Sequence, residues 1–178
     1  ADGSRQLVEF VENTGIPVFT SAFGRGTIPD THPLCFESSL AIRPGAALVA
    51  NTGADLVLFL GARMSLYYLF GDLFTAQAKI IQVDIEPEEI GRNRSVDLAV
   101  ISDVRELLRA ANRLIQKKKM GESLRKRFSG WVSALEKADE EGKAPARSDW
   151  HSENIPVHPM RLAHEINKFM DREGDVVV

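Results

Sequence analysis

The sequence predicts an α/β fold built on a doubly wound parallel sheet. Three observations carry that expectation. Short apolar runs with little alternation recur at 16–20, 56–61, Lys79–Asp84 and Leu98–Ile101, as in strands buried on both faces. Segments with apolar residues at i, i+3, i+4 and i+7 flank them, the spacing of helices laid on such a sheet. One turn also occurs twice: Asn13-Thr14-Gly15 precedes Ile16-Pro17-Val18-Phe19, and Asn51-Thr52-Gly53 precedes Asp55-Leu56-Val57-Leu58. In both copies a helix is expected to stop at a glycine in the left-handed conformation, which glycine enters without a Cβ clash.

Taken in order, Ser4 is placed to cap a first helix whose apolar residues are Leu7, Val8, Phe10 and Val11. Asp103 and Glu106 have capping-box spacing ahead of Val104, Leu107, Leu108, Ala111, Leu114 and Ile115, a clean amphipathic stripe. Lys117, Lys118 and Lys119 close that helix, where cations suit the negative end of the macrodipole. Leu124, Phe128, Trp131 and Leu135 form another stripe, and Leu162, Ala163, Ile166, Phe169 and Met170 a further one. The polar stretch 137–154 has linker composition, and Val176-Val177-Val178 reads as the start of a strand. Since the chain opens on a polar stretch and a helix, a first strand is expected to be missing, as in a piece of a longer polypeptide. The expected division is 1–120, a nucleotide-binding-like domain; 121–156, a helix and linker; and 157–178, the start of another domain.

Composition narrows the classes of function. The 178 residues are 44% apolar and 26% charged, with a net charge of −3. A chain of this size buries roughly 70% of its unfolded surface and needs no disulfide or metal to hold a core. Cys35 is the single cysteine, which excludes a disulfide framework and points to a reducing, cytoplasmic setting. No apolar run approaches the ~18 residues that span a bilayer. With 22 basic against 25 acidic residues, no strong positive field attracts nucleic acid.

In open α/β sheets ligands bind beyond the carboxyl ends of the strands. The positions there are Ser21, Ala22 and Phe23, followed by Gly24-Arg25-Gly26; then Gly61, Ala62 and Arg63; then Asp84 and Ile85; then Ser102 and Asp103. Glycines for close backbone approach, an arginine for a phosphate and a strand-end carboxylate for a ribose are the parts an adenine nucleotide requires. Each has a structural alternative: turn glycines, a surface arginine paired with a neighbour, Asp84 capping the turn at Glu86-Pro87, and Asp103 as helix N-cap. No G-x-G-x-x-G occurs. His32, His151, His158 and His164 lack metal-ligand spacing, with His32 read as loop structure and His158-Pro159 as a helix start. Cys35 reads as a small apolar residue, Trp131 as core, and no catalytic machinery stands out.

The combination of segments resembles the central domain of thiamine-diphosphate-dependent enzymes of the acetolactate synthase-like family. The resemblance rests on Gly24-Arg25-Gly26-Thr27-Ile28-Pro29 with His32-Pro33-Leu34, on Ala54-Asp55-Leu56-Val57-Leu58 with Gly61-Ala62-Arg63, and on Ile81-Gln82-Val83-Asp84-Ile85-Glu86-Pro87-Glu88-Glu89-Ile90-Gly91-Arg92-Asn93. Asp103-Val104 and Val157-His158-Pro159-Met160 also match, and together these cover roughly 4–116 and 155–178. The resemblance implies a Rossmann-like domain between a pyrimidine-binding and a diphosphate-binding domain, in a homo-oligomer (dimer or tetramer). The activating glutamate and the Gly-Asp-Gly…Asn metal motif belong to those other domains, so thiamine diphosphate and magnesium would be held outside this chain, and the chain alone would be inactive. The central domain of such enzymes holds FAD, ADP or part of coenzyme A, or nothing. Carried over by position, nucleotide contacts fall on Ser21, Ala22, Phe23, Gly61, Ala62, Arg63, Asp84, Ile85 and Asp103. Two departures, Ser38-Ser39-Leu40-Ala41-Ile42-Arg43-Pro44-Gly45 and Met64-Ser65-Leu66-Tyr67-Tyr68, lie away from the synthase pattern; the second is nearer the acyl-CoA lyase and decarboxylase branch. Two other readings are an electron-transfer flavoprotein-like FAD domain and a structural module that binds no nucleotide.

Overall fold

The structure, a computed structural model, describes residues 3–38 and 45–170. The expected terminal strand at 176–178 and most of the departure at 39–44 lie outside the described residues.

Helix α1 (Ser4–Thr14) is followed by strand β1 (Val18–Thr20), a loop, and β2 (Cys35–Ser38); α2 (Ala46–Gly53) leads into β3 (Leu56–Leu60). Strands β4 (Lys79–Asp84) and β5 (Leu98–Ile101) then precede α3 (Val104–Lys118), α4 (Gly121–Lys143) and α5 (Pro159–Phe169). All strand pairs are parallel, in two hydrogen-bonded pieces: β1–β2, and β3–β4–β5 in that spatial order. The α/β class with parallel sheets is therefore present. Strand β2, with only four residues, carried no periodic signal and was not expected. β1 starts at Val18, two residues later than expected.

The two Asn-Thr-Gly turns share their threonine more than their glycine. Thr14 Oγ1 donates to Phe10 O at 2.7 Å and accepts from Ile16 N–H at 3.3 Å; Thr52 Oγ1 donates to Leu48 O at 2.8 Å. Gly15 has φ +75 and donates its N–H to Val11 O at 2.7 Å, as expected. Gly53 does not take the left-handed position, because α2 runs one residue further and ends through Ala54. Its glycine serves packing instead: a Cβ there would stand 3.3 Å from the Trp131 indole. Ser4 is the first helical residue, with Gly3 as the N-cap and no side-chain bond. Asp103 is an N-cap, its Oδ1 accepting from Arg105 N–H at 2.8 Å, whereas Glu106 binds Arg109. Residues 137–143, expected in a linker, continue α4, because the Asp139–Lys143 pair four residues apart supports the helix.

Two apolar clusters hold these elements. Phe36, Ala46, Ala50 and Leu135 form one, with Phe19, Trp131 and Val132 packed against it, so α4 covers α2 and β2 through its expected stripe. Phe59, Met64, Tyr68, Phe74, Ala78 and Ile80 form the other. Its aromatic rings meet edge-on and stacked, with Phe59–Tyr68 centroids 5.1 Å apart and Tyr68–Phe74 5.9 Å, both favourable arrangements. α1 also packs against α3 and α4. The stripe on α5 differs from expectation: Leu162, Ile166 and Phe169 are exposed, and the helix contacts the turn Asp149–His151 through stacking of His164 on Trp150.

The crossovers on the three-stranded piece are not α-helices, and the sequence has no helical stripe at 62–78 or 85–97. Between β3 and β4 the chain makes the irregular turn Leu66–Gly71, and between β4 and β5 the single turn Pro87–Glu89. The Arg94 side chain binds the first of these, donating to Gly71 O, Phe74 O and Thr75 O at 2.8 Å and to Ala78 O at 3.3 Å. At Gly71 the backbone has φ +103, and a Cβ would lie 2.7 Å from Arg94 Cβ.

Two stability measurements follow. Leu108, 2% exposed, should lose roughly 2–5 kcal/mol on truncation to alanine in urea melts, while Leu114→Ala on the half-exposed side of α3 should cost little; equal losses would contradict the helix orientation. Gly71→Ala should cost roughly 1–3 kcal/mol from backbone strain alone, and an unchanged midpoint would contradict the close Arg94 approach.

Candidate functional site

The parallel register sets the carboxyl ends of β3, β4 and β5 side by side. Gly61 N–H donates to Val83 O at 2.8 Å, and Ser102 N–H to Asp84 O at 3.0 Å. A Cβ on Gly61 would lie 3.3 Å from Val104 Cγ2, at the start of α3. Six of the expected positions, Gly61, Ala62, Arg63, Asp84, Ile85 and Asp103, therefore follow neighbouring strands of one sheet. Ser21, Ala22 and Phe23 follow β1 in the other piece, and among the described residues no continuous ladder brings them to the rest.

Both carboxylates are half committed to local structure. Asp84, 9% exposed, accepts from Glu86 N–H at 3.0 Å through Oδ1. Asp103 uses Oδ1 on Arg105 N–H. Each leaves Oδ2 without a hydrogen-bond partner among the described residues, so turn-capping does not exhaust either group. Beside them Ile85 is 64% exposed, an apolar side chain at a strand end. Phe23 is almost wholly exposed. The loop after it is held by local bonds: Thr27 Oγ1 donates to Gly24 O at 2.7 Å, Arg25 pairs with Asp30 at 2.9 Å, and His32 Nδ1 accepts from Leu34 N–H at 3.1 Å, while His32 Nε2 lies 3.9 Å from Glu12 on α1. His158 is likewise structural, its Nδ1 accepting from Met160 N–H at 3.3 Å at the start of α5.

Arg63 is the surface cation of the cluster. Its Nε lies 3.4 Å from Glu89 Oε1, and Arg92 Nη1 donates to the same oxygen at 2.9 Å. Glu89, Arg92 and Asn93 lie in the stretch that resembles the family, but none is among the expected site residues. Gln82 was the available signal: it is 1% exposed inside an apolar strand, and a buried amide must be hydrogen-bonded. It donates to Glu89 O at 3.0 Å and accepts from Gly91 N–H at 2.9 Å, fixing the turn that carries Glu89. Asn93 Nδ2 donates to Met64 O at 2.7 Å, tying that turn to the residue after Arg63. The Lys168 ammonium, 3.2 Å from Glu165, holds that carboxyl below its ordinary range on α5, outside this cluster. Among the described residues no group of three or more His, Cys, Asp or Glu could hold a metal ion, and no helix is long and apolar enough to cross a membrane.

Comparisons with known proteins agree with the fold and with the matched segments. Residues 1–111 match the family model of the thiamine pyrophosphate enzyme central domain. The acetolactate synthase large subunit of Corynebacterium glutamicum is 34% identical over 137 residues, 76% of this chain and 21% of that protein. Glyoxylate carboligase of Escherichia coli O157:H7 is 30% identical over 193 aligned positions, 97% of this chain and 29% of that protein. An X-ray structure of a Mycobacterium smegmatis protein assigned to the thiamin diphosphate-dependent enzymes superposes with TM-score 0.51 at 26% identity, over 63% of this chain and 22% of that one. The chain thus spans between about a fifth and three-tenths of these relatives. With its parallel strands, the Gly61-Ala62-Arg63 and Asp84-Ile85 strand ends and a match over 1–111, the chain belongs to the thiamine pyrophosphate enzyme central-domain family.

Proposed function

We propose that the chain serves as the central domain of a thiamine-diphosphate-dependent carboligase, lyase or decarboxylase, and that the ends of β3, β4 and β5 hold an adenine nucleotide. The observation that carries this is that Arg63, Asp84 and Asp103 follow the carboxyl ends of neighbouring parallel strands, with Arg63 exposed and the Oδ2 atoms of both carboxylates without a hydrogen-bond partner among the described residues. Arg63 would take a phosphate, the carboxylates a ribose hydroxyl or the adenine amino group, Gly61 and Ala62 the close backbone approach, and Ile85 a ring face. Ser21, Ala22 and Phe23 would close the other side. The apolar Met64-Ser65-Leu66-Tyr67-Tyr68 stretch favours ADP, free or as part of coenzyme A, over FAD. Carbon–carbon chemistry on the thiazolium of thiamine diphosphate would be supplied with magnesium by other domains of the parent subunit, so the chain by itself would not catalyse. Those domains, in a homo-oligomer, are the partners of this reading, and Cys35 as the single cysteine supports a reducing cytoplasm.

Freshly purified protein, denatured and analysed by absorbance and chromatography, should release ADP or coenzyme A; released FAD would contradict the preference drawn from Met64-Ser65-Leu66-Tyr67-Tyr68. In calorimetry, Arg63→Ala should weaken ADP binding by ~1.5–3 kcal/mol, the worth of a charge-assisted hydrogen bond, and unchanged affinity would remove Arg63 from the site.

A further inference from the structure

Arg63 has a second arginine beside it, Arg92, which lies in the stretch that resembles the family but is not among the expected nucleotide contacts. Arg63 and Arg92 converge on one oxygen, Glu89 Oε1, at 3.4 and 2.9 Å. Their side chains are 71% and 64% exposed, while that of Glu89 is 12% exposed. Among the described residues neither guanidinium has another hydrogen-bonded or ionic partner, so most of their donors are unspent. Two cations and one carboxylate leave the trio with a net positive charge, beside a shallow depression that Met64, Ser65, Phe70 and Asn93 also line. The turn that carries Glu89 and leads into Arg92 is pinned from below by the buried Gln82 and sideways by Asn93 on Met64 O. A pair of arginines held over a fixed backbone presents the fork geometry that recognises phosphate oxygens.

We propose that Arg92 and Arg63 form a single phosphate clamp, with Glu89 as the internal counter-ion that holds both arginines in place and sets how tightly an anion is gripped. This deepens the nucleotide reading and rests on it for the identity of the anion; the clamp chemistry is common to a nucleotide diphosphate and to free pyrophosphate. A phosphate entering the depression would take the unspent donors of both guanidiniums, and Glu89 would oppose it by like charge at close range.

The test is calorimetric titration of the 178-residue chain with ADP and, separately, with inorganic pyrophosphate. The variants are Arg63→Gln, Arg92→Gln and Glu89→Gln, and Lys137→Gln controls for the same loss of positive charge at an exposed pair. Thermal melts establish that each variant is folded. Arg92→Gln should weaken both ligands roughly tenfold, as loss of one charge-assisted bond implies, and Glu89→Gln should tighten both about threefold. Arg92→Gln indistinguishable from Lys137→Gln, with Arg63→Gln weakened, overturns the clamp and leaves the nucleotide reading standing. Pyrophosphate binding that depends on Arg92, with no binding of ADP, supports the clamp and contradicts the nucleotide reading. Binding of neither ligand overturns both.

Discussion

The connection between β3 and β4 has neither an α-helix nor a strand ladder, only short turn hydrogen bonds, and the Arg94 guanidinium donates to four of its carbonyl oxygens. Gly71, Phe74, Thr75 and Ala78 all point their C=O groups at this one side chain. A planar fork of donors suits such a set, where the point charge of a lysine could not reach them together. The bonds close the chain around Tyr68 and Phe74, which pack on Phe59 from the sheet. They also require Gly71, since no Cβ fits against Arg94 there. Leu69 and Phe70, at φ +48 and +56, adopt a conformation that costs energy for such side chains and are held in it by the contacts on either side.

The same segment supplies the candidate site. Gln82, Asn93 and Arg94 bind in sequence to the turn after β4, to Met64 and to the β3–β4 connection. Arg63, Glu89 and Arg92 therefore sit on backbone that is fastened from the sheet outward. Site residues carried on irregular segments gain definition when supporting hydrogen bonds fix those segments. Asp84 and Asp103 share one arrangement: one oxygen of each shapes the strand end, and the other has no hydrogen-bond partner among the described residues.

Much of the fold was legible in sequence because it rests on periodicity. The α3 stripe, the Asp103 cap, the left-handed Gly15 and the apolar runs of β3, β4 and β5 follow from local rules. The failures lie where tertiary contact decides. Gly53 reads as a helix stop, yet the Trp131 ring, distant in sequence, is what requires a glycine there. β2 is too short to show alternation. The β3–β4 and β4–β5 connections carry no helical period, and their order comes from Arg94 and Gln82, whose partners lie up to 23 residues away. The strand-end residues of the candidate site were legible from topology, whereas Glu89 and Arg92 were not, because only the folded turn brings them to Arg63.

Arg94 holds the β3–β4 connection and, through it, the floor of the candidate site. Hydrogen exchange measured residue by residue in the parent chain and in Arg94→Lys tests it most directly. Tyr68, Phe70, Asp72, Leu73, Phe74 and Ala78 donate their amides within that connection. In the variant these amides should lose protection selectively, with those of α1, α3 and α4 unchanged. Unaltered protection over 68–78, or a uniform loss across the whole chain, would contradict this role for Arg94.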